Sequence, residues 1–454
     1  MSLLRDAEKE TEKNVDEILN KALELKGLES REAAALINIS SPEGLSKLYS
    51  AASKIKNLIY GRRLVVFAPL YISNYCSNNC LYCGFRMDNR GVSRKCLSPD
   101  EIKRETEIIL SQGHKRILML MGEHPDQCSF DYFLRAIDSV YEVKDDRGSS
   151  IRRVNVEVPP LSKKEFGLLS KAKIGTYTVF QETYHRETYE KMHPAGKKSD
   201  YFARLSTMDK ALENGLNDVG IGALFGLYDY RFEVLALLEH SRYLDRVYGV
   251  GPHTISVPRI EPAEGAAISK NIPFPVSNRD FKKVVAVLRC AVPYTGIILS
   301  TRESPRIRRE VFQLGVSQIS AGSKTSPGGY AKDLNSGFKS SQFSLNDTRS
   351  TGEVIKAVIK QGYIPSFCTG CYRLKRVGKD FMDLAKPGLI KMHCLPNALT
   401  TLKEYIVDYG DDETKRLGEE LIKRSLDEIP KAGRRRKTEV FLKKIEEGQR
   451  DLYF

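Results

Sequence analysis

"LVVFAPLYISNYCSNNCLYC", from Leu64 to Cys83, joins an apolar run to three closely spaced cysteines. The run is rich in β-branched and aromatic residues, and this composition predicts a buried strand. A doubly wound sheet that binds a dinucleotide would carry a glycine-rich loop directly after its first strand. Cysteines stand there instead, so the stretch argues against that architecture and places potential metal ligands at the carboxyl end of the strand.

Seven further short apolar runs follow, and amphipathic segments separate them. The runs begin near Arg116, Arg153, Gly175, Asp218, Thr254, Thr295 and Ser317. Eight alternating strand and helix units predict a parallel sheet, and eight strands close a (βα)8 TIM-type barrel. We expect the barrel at residues 63–345, a helical extension at 1–62, and the last barrel helix with a cysteine-bearing helical domain at 346–454.

Polar residues follow most of the predicted strands. They are Asn74, Glu123, Glu182, Arg259, Arg302 and Ser323. Active sites of such barrels lie at the carboxyl ends of the strands, where the loops begin. We therefore expect a functional site at this end, which we call the mouth of the barrel.

The composition limits the kinds of partner that the chain can have. Its 454 residues are 41% hydrophobic and 29% charged, as in globular proteins. No apolar run is long enough to span a bilayer, and the N-terminus lacks the apolar core of a secretory signal. We expect a cytoplasmic protein with reduced thiols and no membrane partner. The net charge of +14 favours anionic small molecules or an acidic protein over nucleic acid, for which we find no motif.

The first cysteine group has the spacing C-x3-C-x2-C and consists of Cys76, Cys80 and Cys83. Three thiolates leave one iron of a [4Fe–4S] cluster without a protein ligand, so that iron can bind a small molecule. The alternative is a structural zinc site with Cys96 as fourth ligand, although this spacing is unusual for zinc. We interpret Cys96, Cys128 and Cys290 as incidental thiols.

This spacing after the first strand resembles the radical S-adenosylmethionine (SAM) superfamily. The resemblance implies that the open iron binds SAM and that the cluster's electron cleaves it to a 5′-deoxyadenosyl radical. "LMGEHPD" resembles the glycine–glycine–glutamate segment of that superfamily, with Met121 in place of the first glycine. Gly122 and Glu123 would then contact the SAM amino group, and Tyr82 would flank the adenine.

The second cysteine group lies near the C-terminus, in "FCTGCYRLKRVGKD" and "MHCLPNALT". Cys368, Cys371 and Cys394 give C-x2-C-x22-C, which leaves an open iron if the group binds a second [4Fe–4S] cluster. A helix returning from strand eight ends a few residues before Cys368. We therefore expect this cluster at the bottom of the barrel, about 20–25 Å from the first, from a rise of ~3.3 Å per strand residue.

Together with "IGTYTVFQETYH" and "GVGPHTISVPRIEP", the two cysteine groups resemble the HydG family, the tyrosine lyases that mature [FeFe]-hydrogenases. The resemblance implies hydrogen abstraction from the amino group of L-tyrosine and cleavage of its Cα–Cβ bond to p-cresol and dehydroglycine. Dehydroglycine would become carbon monoxide and cyanide at the second cluster, which carries a labile fifth iron. The implied partners are an electron donor and the hydrogenase maturation proteins.

Two alternatives stay open. One is a tyrosine lyase of the thiamine pathway (ThiH-like, a 2-iminoacetate synthase) whose C-terminal cysteines bind only a structural metal. The other is a non-enzymatic iron–sulfur carrier, which would leave the polar strand ends unexplained.

The substrate carboxylate calls for an arginine, whose guanidinium binds carboxylates through two hydrogen bonds. Arg302 and Arg259 are the candidates, and either can instead bind SAM or pair with Glu261 or Glu303. The other candidates for contact with the amino acid or the SAM ribose are Gln181, Glu182 and Tyr184, with Ser323 and Ser320 as weaker ones.

A histidine at the bottom of the barrel can bind the labile iron, because imidazole is a good ligand for iron. His253 directly precedes strand six, and His240 lies on a helix that returns to the same face. We prefer His253 because it stands at the start of the strand.

Overall fold

The structure is a computed structural model and describes residues 2–8, 14–331 and 340–454. All eight predicted strands are present and run parallel, so the predicted barrel is confirmed. The strands are β1 (Arg63–Ser73), β2 (Arg116–Met121), β3 (Arg153–Glu157), β4 (Ile174–Thr178), β5 (Val219–Gly222), β6 (Thr254–Ser256), β7 (Gly296–Leu299) and β8 (Val316–Ser320).

The long strand β1 closes the barrel. It pairs with β8 in its first half, where Val65 lies opposite Gln318, and with β2 in its second half, where Ala68 lies opposite Ile117. A strand that the sequence did not predict, β9 (Ile364–Ser366), pairs with the first residues of β1. Three residues that include a proline are too short for periodicity to reveal.

Helices precede the barrel, as predicted. They are α1 (Ser2–Glu8), α2 (Val15–Leu23), α3 (Ser30–Asn38) and α4 (Pro42–Ile59). The hydroxyl of Ser41 accepts a hydrogen bond from the amide of Gly44 and caps α4, with Pro42 in its first turn. Helices α2, α3 and α4 pack on the barrel helices and bury their apolar faces there.

The barrel helices surround the sheet. They are α5 (Pro99–Ser111), α6 (Phe130–Glu142), α7 (Lys163–Leu169), α8 (Arg186–Met192), α9 (Tyr201–Leu205), α10 (Thr207–Glu213), α11 (Tyr230–Tyr248), α12 (Asn278–Ala291), α13 (Pro305–Phe312) and α14 (Thr351–Lys360). Serine side chains cap the N-termini of α5, α6, α7, α12, α13 and α14. These caps pair the free amides of the first turn and so define where each loop at the mouth ends.

The C-terminal helices cover the bottom of the barrel. They are α15 (Gly370–Arg373), α16 (Gly378–Ala385), α17 (Lys391–Tyr409), α18 (Asp412–Leu426) and α19 (Ala432–Glu446). Helix α17 is buried over most of its length and packs against β1, β9, α18 and α19. Cys394 lies in its first turn, so the packing of α17 holds the third cysteine beneath the barrel. Within the described residues, none of these helices is both long and apolar enough to cross a bilayer.

Candidate functional site

A cavity opens at the mouth of the barrel, and all three cysteines of the first group lie in its wall. Cys80 is buried, whereas Cys76 and Cys83 are partly exposed to the cavity. The amide of Phe85 donates to the Cys83 sulfur at 3.4 Å, and the Asn78 side-chain amide donates to the Cys76 sulfur at 3.7 Å. These N–H groups stabilise negative charge on sulfur, as thiolate ligands of iron require.

Gly122 allows the cysteine loop to approach β2. A Cβ at this position would lie 2.2 Å from the carbonyl oxygen of Tyr75, so no other residue fits without moving the loop. The next residue is Glu123. Its carbonyl oxygen accepts a hydrogen bond from the Ser77 amide at 2.7 Å, and its carboxylate accepts one from the Asn78 side chain at 2.6 Å. The segment predicted to contact SAM therefore also positions the cysteines.

The structure does not support the zinc alternative. Cys96 lies outside the cavity, where its thiol donates to the carbonyl of Gln127 at 3.4 Å and neighbours Cys128. In residues 2–8, 14–331 and 340–454, no three His, Cys, Asp or Glu side chains are grouped closely enough to hold a single metal ion. Three thiols spread around a wider space suit a multi-iron cluster.

Tyr82 also lines the cavity, as its predicted place beside the adenine requires. Its hydroxyl is 2.8 Å from Nε2 of His193, and burial raises the pKa of Tyr82 well above its usual value. The ring is therefore fixed in the wall and stays uncharged.

A buried charge network lies beside the cysteines. Lys198 pairs with Glu182 at 2.5 Å, and Arg204 lies 3.6 Å from the same carboxylate. Burial opposes the charge of Lys198, but the Glu182 carboxylate outweighs it and raises the pKa of Lys198. Glu182 also has a φ of 69°, a strained conformation for a non-glycine residue, which is frequent at functional sites.

Arg302 lies in the cavity wall with its guanidinium 3.3 Å from the centre of the Phe343 ring. Across the described ranges, no carboxylate lies within ion-pair distance of it, so the group is available to a ligand. Ser323 and Ser320 share the wall, and the Ser323 hydroxyl is buried without a hydrogen-bond partner.

Three of the predicted contact residues lie outside this cavity. The guanidinium of Arg259 forms two hydrogen bonds to Glu303, one of them 2.8 Å long, and another to the carbonyl of Val276. The Tyr184 hydroxyl bonds to Nδ1 of His240 at 2.8 Å. Gln181 is buried, but its side chain is not part of the wall. The polar groups at strand ends therefore divide into those that face the cavity and those that support the loops.

Three charged residues of the cavity wall were not predicted from the sequence: Glu157, Lys198 and Arg204. Glu157 is the last residue of β3, and the alternation of "RVNVE" would have placed it on the inner face. Burial, together with the charge of Glu182, raises the pKa of Glu157 to about 7. Lys198 and Arg204 lie between α8 and α10, where no periodic pattern identifies them.

A second cavity lies at the bottom of the barrel and is lined by Cys368, Cys371 and Cys394. The amide of Gly370 donates to the Cys368 sulfur at 3.3 Å. Burial raises the pKa of Cys371 to about 12 and also raises that of Cys394. The two cysteine groups therefore lie at opposite ends of the same barrel, as the topology predicts.

Two arginines at strand starts also line the lower cavity. They are Arg63 on β1 and Arg116 on β2, and in the part of the chain that the structure describes neither has a carboxylate partner. Arg116 is only 4% exposed. A buried guanidinium without a counter-ion is costly, and a cluster bound by three thiolates would supply the missing negative charge. These residues therefore fit an iron–sulfur cluster.

His253 lies in the lower cavity, but His240 does not. His240 lies on α11, where its ring bonds to the Tyr184 hydroxyl. His393 is also in the wall, and its Nδ1 is 3.1 Å from a guanidinium nitrogen of Arg376. Of the two candidate histidines, the structure thus leaves only the preferred one, His253, at the lower cavity.

The two cavities adjoin inside the barrel. Successive inward-facing residues on four strands line first the lower and then the upper cavity: Val65 and Phe67, Arg116 and Leu118, Gly296 and Ile298, Gln318 and Ser320. Each pair spans only about 6–7 Å along its strand. Barrels of this type are usually filled by layers of bulky apolar side chains. Here no full layer lies between the cavities on these four strands.

The family models that match the chain agree with the prediction made from the cysteine spacing. Residues 70–240 match the model of the radical SAM superfamily, and residues 256–364 match the biotin and thiamin synthesis associated domain. The chain is also similar to the 2-iminoacetate synthase of Escherichia coli (strain K12). The two are 34% identical over 348 residues, which are 76% of this chain and 89% of that protein.

Two solved structures match nearly the whole chain. One is HydG, described as a maturase of the [FeFe]-hydrogenase, with 48% identity and a TM-score of 0.95 over 99% of this chain and 98% of that one. The other is the FeFe-hydrogenase maturase HydG from Carboxydothermus hydrogenoformans, with 38% identity and a TM-score of 0.83 over 97% and 96%. The C-terminal helices are thus included in the similarity.

Proposed function

The chain belongs to the HydG family of radical SAM enzymes, and we propose that it cleaves the Cα–Cβ bond of L-tyrosine to p-cresol and dehydroglycine. Dehydroglycine would then be converted at the lower cavity to carbon monoxide and cyanide. Both would leave bound to iron, as a precursor of the [FeFe]-hydrogenase active site. The observation that carries this proposal is the presence of two cysteine triads at opposite ends of one barrel whose cavities adjoin.

In the upper cavity, Cys76, Cys80 and Cys83 would hold a [4Fe–4S] cluster, and Glu123 would contact SAM. When bound, this cluster and SAM supply the carbon radical that takes a hydrogen atom from the substrate. The protein positions the substrate and excludes water. Arg302 is the group for the tyrosine carboxylate, because it faces the cavity and has no carboxylate partner within the described residues.

The aromatic ring of tyrosine requires an apolar surface. Much of the cavity wall is apolar, and its side chains from the inner face of the barrel include Phe67, Leu118, Leu120 and Ile298. Pockets of this kind bind the ring by burial, while a few polar groups set its orientation. A single tyrosine bound to Arg302 would therefore lie within the same space as the cysteines.

In the lower cavity, Cys368, Cys371 and Cys394 would hold the second cluster, and His253 would bind the labile iron. Because the walls of the two cavities are only one layer of side chains apart on four strands, dehydroglycine would pass between them inside the barrel rather than through solvent. Partners of this reaction would be an electron donor and the proteins that receive the iron unit.

The test replaces Cys394 with alanine and measures every product. We expect p-cresol to persist, because the upper cavity is untouched, while free carbon monoxide and cyanide fall sharply. The control is Cys290→Ala, since Cys290 is a buried thiol on α12 that lines neither cavity. An equal loss of p-cresol in Cys394→Ala, but not in the control, would contradict two separate sites.

The similarity to 2-iminoacetate synthase supports a second candidate function, a tyrosine lyase whose final product is dehydroglycine. In that case, the unaltered protein would form p-cresol but neither carbon monoxide nor cyanide. An iron–sulfur carrier would form neither p-cresol nor 5′-deoxyadenosine from tyrosine and SAM under reducing conditions.

A further inference from the structure

Glu157 is a carboxylate of the upper cavity to which the proposed reaction has not yet given a role. Four glutamates line this cavity, within the residues that the structure describes. Glu123 accepts a hydrogen bond from the Asn78 side chain, Glu182 pairs with Lys198, and the Asn346 amide lies beside Glu261. In the described part of the chain, Glu157 has neither a hydrogen bond nor an ion pair and, unlike Glu261, which lies in a loop, it is the last residue of a barrel strand and partly buried.

The proposed chemistry leaves one proton unassigned. Free tyrosine carries an ammonium group near neutral pH, and a hydrogen atom leaves an ammonium far less readily than a neutral amine, because the nitrogen is already positively charged. The amine must therefore lose a proton before its N–H bond is broken. A carboxylate beside the substrate nitrogen is suited to this step.

We propose that Glu157 is the base that accepts the proton of the substrate ammonium, an assignment that rests on the proposed tyrosine cleavage. The ionised carboxylate receives H⁺ from R–NH₃⁺, giving a neutral carboxylic acid and R–NH₂. The hydrogen atom then leaves from R–NH₂. The step moves one proton and no electrons, so it needs no further reactant.

The position of Glu157 relative to Arg302 supports this role. Both residues line one cavity at strand ends, and the positive charge of Arg302 favours the ionised form of Glu157. A tyrosine whose carboxylate binds Arg302 carries its ammonium on the adjacent carbon. The ammonium then needs a nearby acceptor, and the Glu157 carboxylate, which no protein group in the described ranges occupies, lies in the same wall.

The surrounding groups bring the pKa of Glu157 close to neutral pH. The titratable and charged groups that influence it come from several elements and are Tyr71, Tyr177, Glu182, Lys198, Arg204 and Arg302. Burial and Glu182 raise the pKa of Glu157 to about 7, against the three cations. At neutral pH, a substantial fraction of a base with this pKa is ionised and can accept a proton. Such a base is also stronger than an ordinary carboxylate.

The experiment measures p-cresol and 5′-deoxyadenosine as a function of pH for the intact enzyme with both clusters loaded. In the unaltered enzyme, we expect kcat to fall below about pH 7, because protonated Glu157 cannot accept the proton. Glu157→Gln should lower kcat at pH 7 by about 10²–10⁴-fold. Its remaining rate should rise with pH as free amine becomes available from solution.

Two further variants separate a base from a group that only positions the substrate. Glu157→Asp keeps a carboxylate and should keep the acidic fall in rate with a smaller loss of kcat. Glu261→Gln removes the other glutamate whose pKa is raised to about 7, and it should leave the acidic fall in place. The dissociation constant of tyrosine, measured without reductant, should change by less than about tenfold in Glu157→Gln.

Several results would overturn the assignment. An acidic fall that persists in Glu157→Gln excludes the role, as does its disappearance in Glu261→Gln instead. A large loss of tyrosine binding with kcat unchanged at saturation would make Glu157 a binding group. Absence of p-cresol from the unaltered enzyme would refute the proposed function itself, which is a separate and recognisable outcome.

Discussion

Nδ1 of His253 lies 3.5 Å from Oδ2 of Asp218 at the bottom of the barrel. The other carboxylate oxygen of Asp218 accepts the amide of Gly378 at 3.0 Å, which ties it to the start of α16. A histidine that binds a metal usually directs its second ring nitrogen to a carboxylate or carbonyl. The pair therefore fits the proposed role of His253, with Nε2 as the nitrogen left for iron.

Asp218→Asn should weaken the labile iron at the lower cavity. Loss of such a supporting carboxylate typically lowers metal affinity by about 10–100-fold. We expect less iron bound per chain and less carbon monoxide, with p-cresol formation unchanged. Iron analysis and product analysis check this. The control is Asp245→Asn, because Asp245 pairs with Lys386 near the end of α11 and does not line the cavity.

Gly122→Ala should disrupt the first cluster selectively. The added Cβ would lie 2.2 Å from the carbonyl oxygen of Tyr75, so the cysteine loop must move. We expect the SAM-dependent formation of 5′-deoxyadenosine to be lost, while the lower cluster is still assembled and gives its own spectroscopic signal. Gly167→Ala is the control, since a Cβ there meets no atom within 4 Å. Equal loss of both clusters in Gly122→Ala would contradict this expectation.

Asp347→Asn should destabilise the fold. Asp347 and Arg308 have fully buried side chains 3.1 Å apart, and Arg349 pairs with the same carboxylate at 2.7 Å. Removing one partner of a buried pair typically costs about 3–5 kcal/mol of unfolding free energy. Denaturant unfolding measures this, and Glu413→Gln provides the control, because Glu413 pairs with Lys356 and Lys360 at the exposed surface and its loss should change the stability little.

The same pair predicts how stability depends on pH. Burial opposes the charge of Asp347, but Arg349 and Arg308 outweigh it and lower the pKa of Asp347. A carboxyl with a lowered pKa in the folded state contributes its full stability above the unfolded value, which is about 3.9. This contribution is lost as the pH falls through the lowered pKa. The difference in stability between the natural protein and Asp347→Asn should therefore shrink only under strongly acidic conditions.

Cys96 should be the most reactive of the three thiols outside the two cavities. The neighbouring side chains of Cys128, Tyr132 and Ser73 lower the pKa of Cys96, while burial raises the pKa of Cys290 to about 12. Because the thiolate is the nucleophile, iodoacetamide should label Cys96 first at pH 7. Peptide mass spectrometry of the cluster-loaded protein measures the order. Cys128→Ala should slow the labelling of Cys96, and Cys290 reacting first would contradict the prediction.

Local chain features were enough to predict the architecture. Apolar runs with amphipathic segments between them identified all eight barrel strands, and the spacing of six cysteines identified two triads at opposite ends. Strand β9 was missed, because a three-residue strand is stabilised by pairing with β1 rather than by a pattern of its own. The domain limits at residues 62 and 345 remain predictions.

Which residues line each cavity depends on contacts between residues that are far apart in the chain. Arg302 and Arg259 both follow barrel strands, yet Glu303 holds Arg259 away from the cavity while Arg302 faces into it. His253 and His240 separate in the same way. Periodicity and spacing in the sequence therefore determined the barrel strands and the two sets of thiols, because apolar periodicity and cysteine spacing are properties of the chain before it folds. Only the tertiary structure decided which charged groups share a cavity, because side-chain direction and ion pairing are set by residues far apart in the chain.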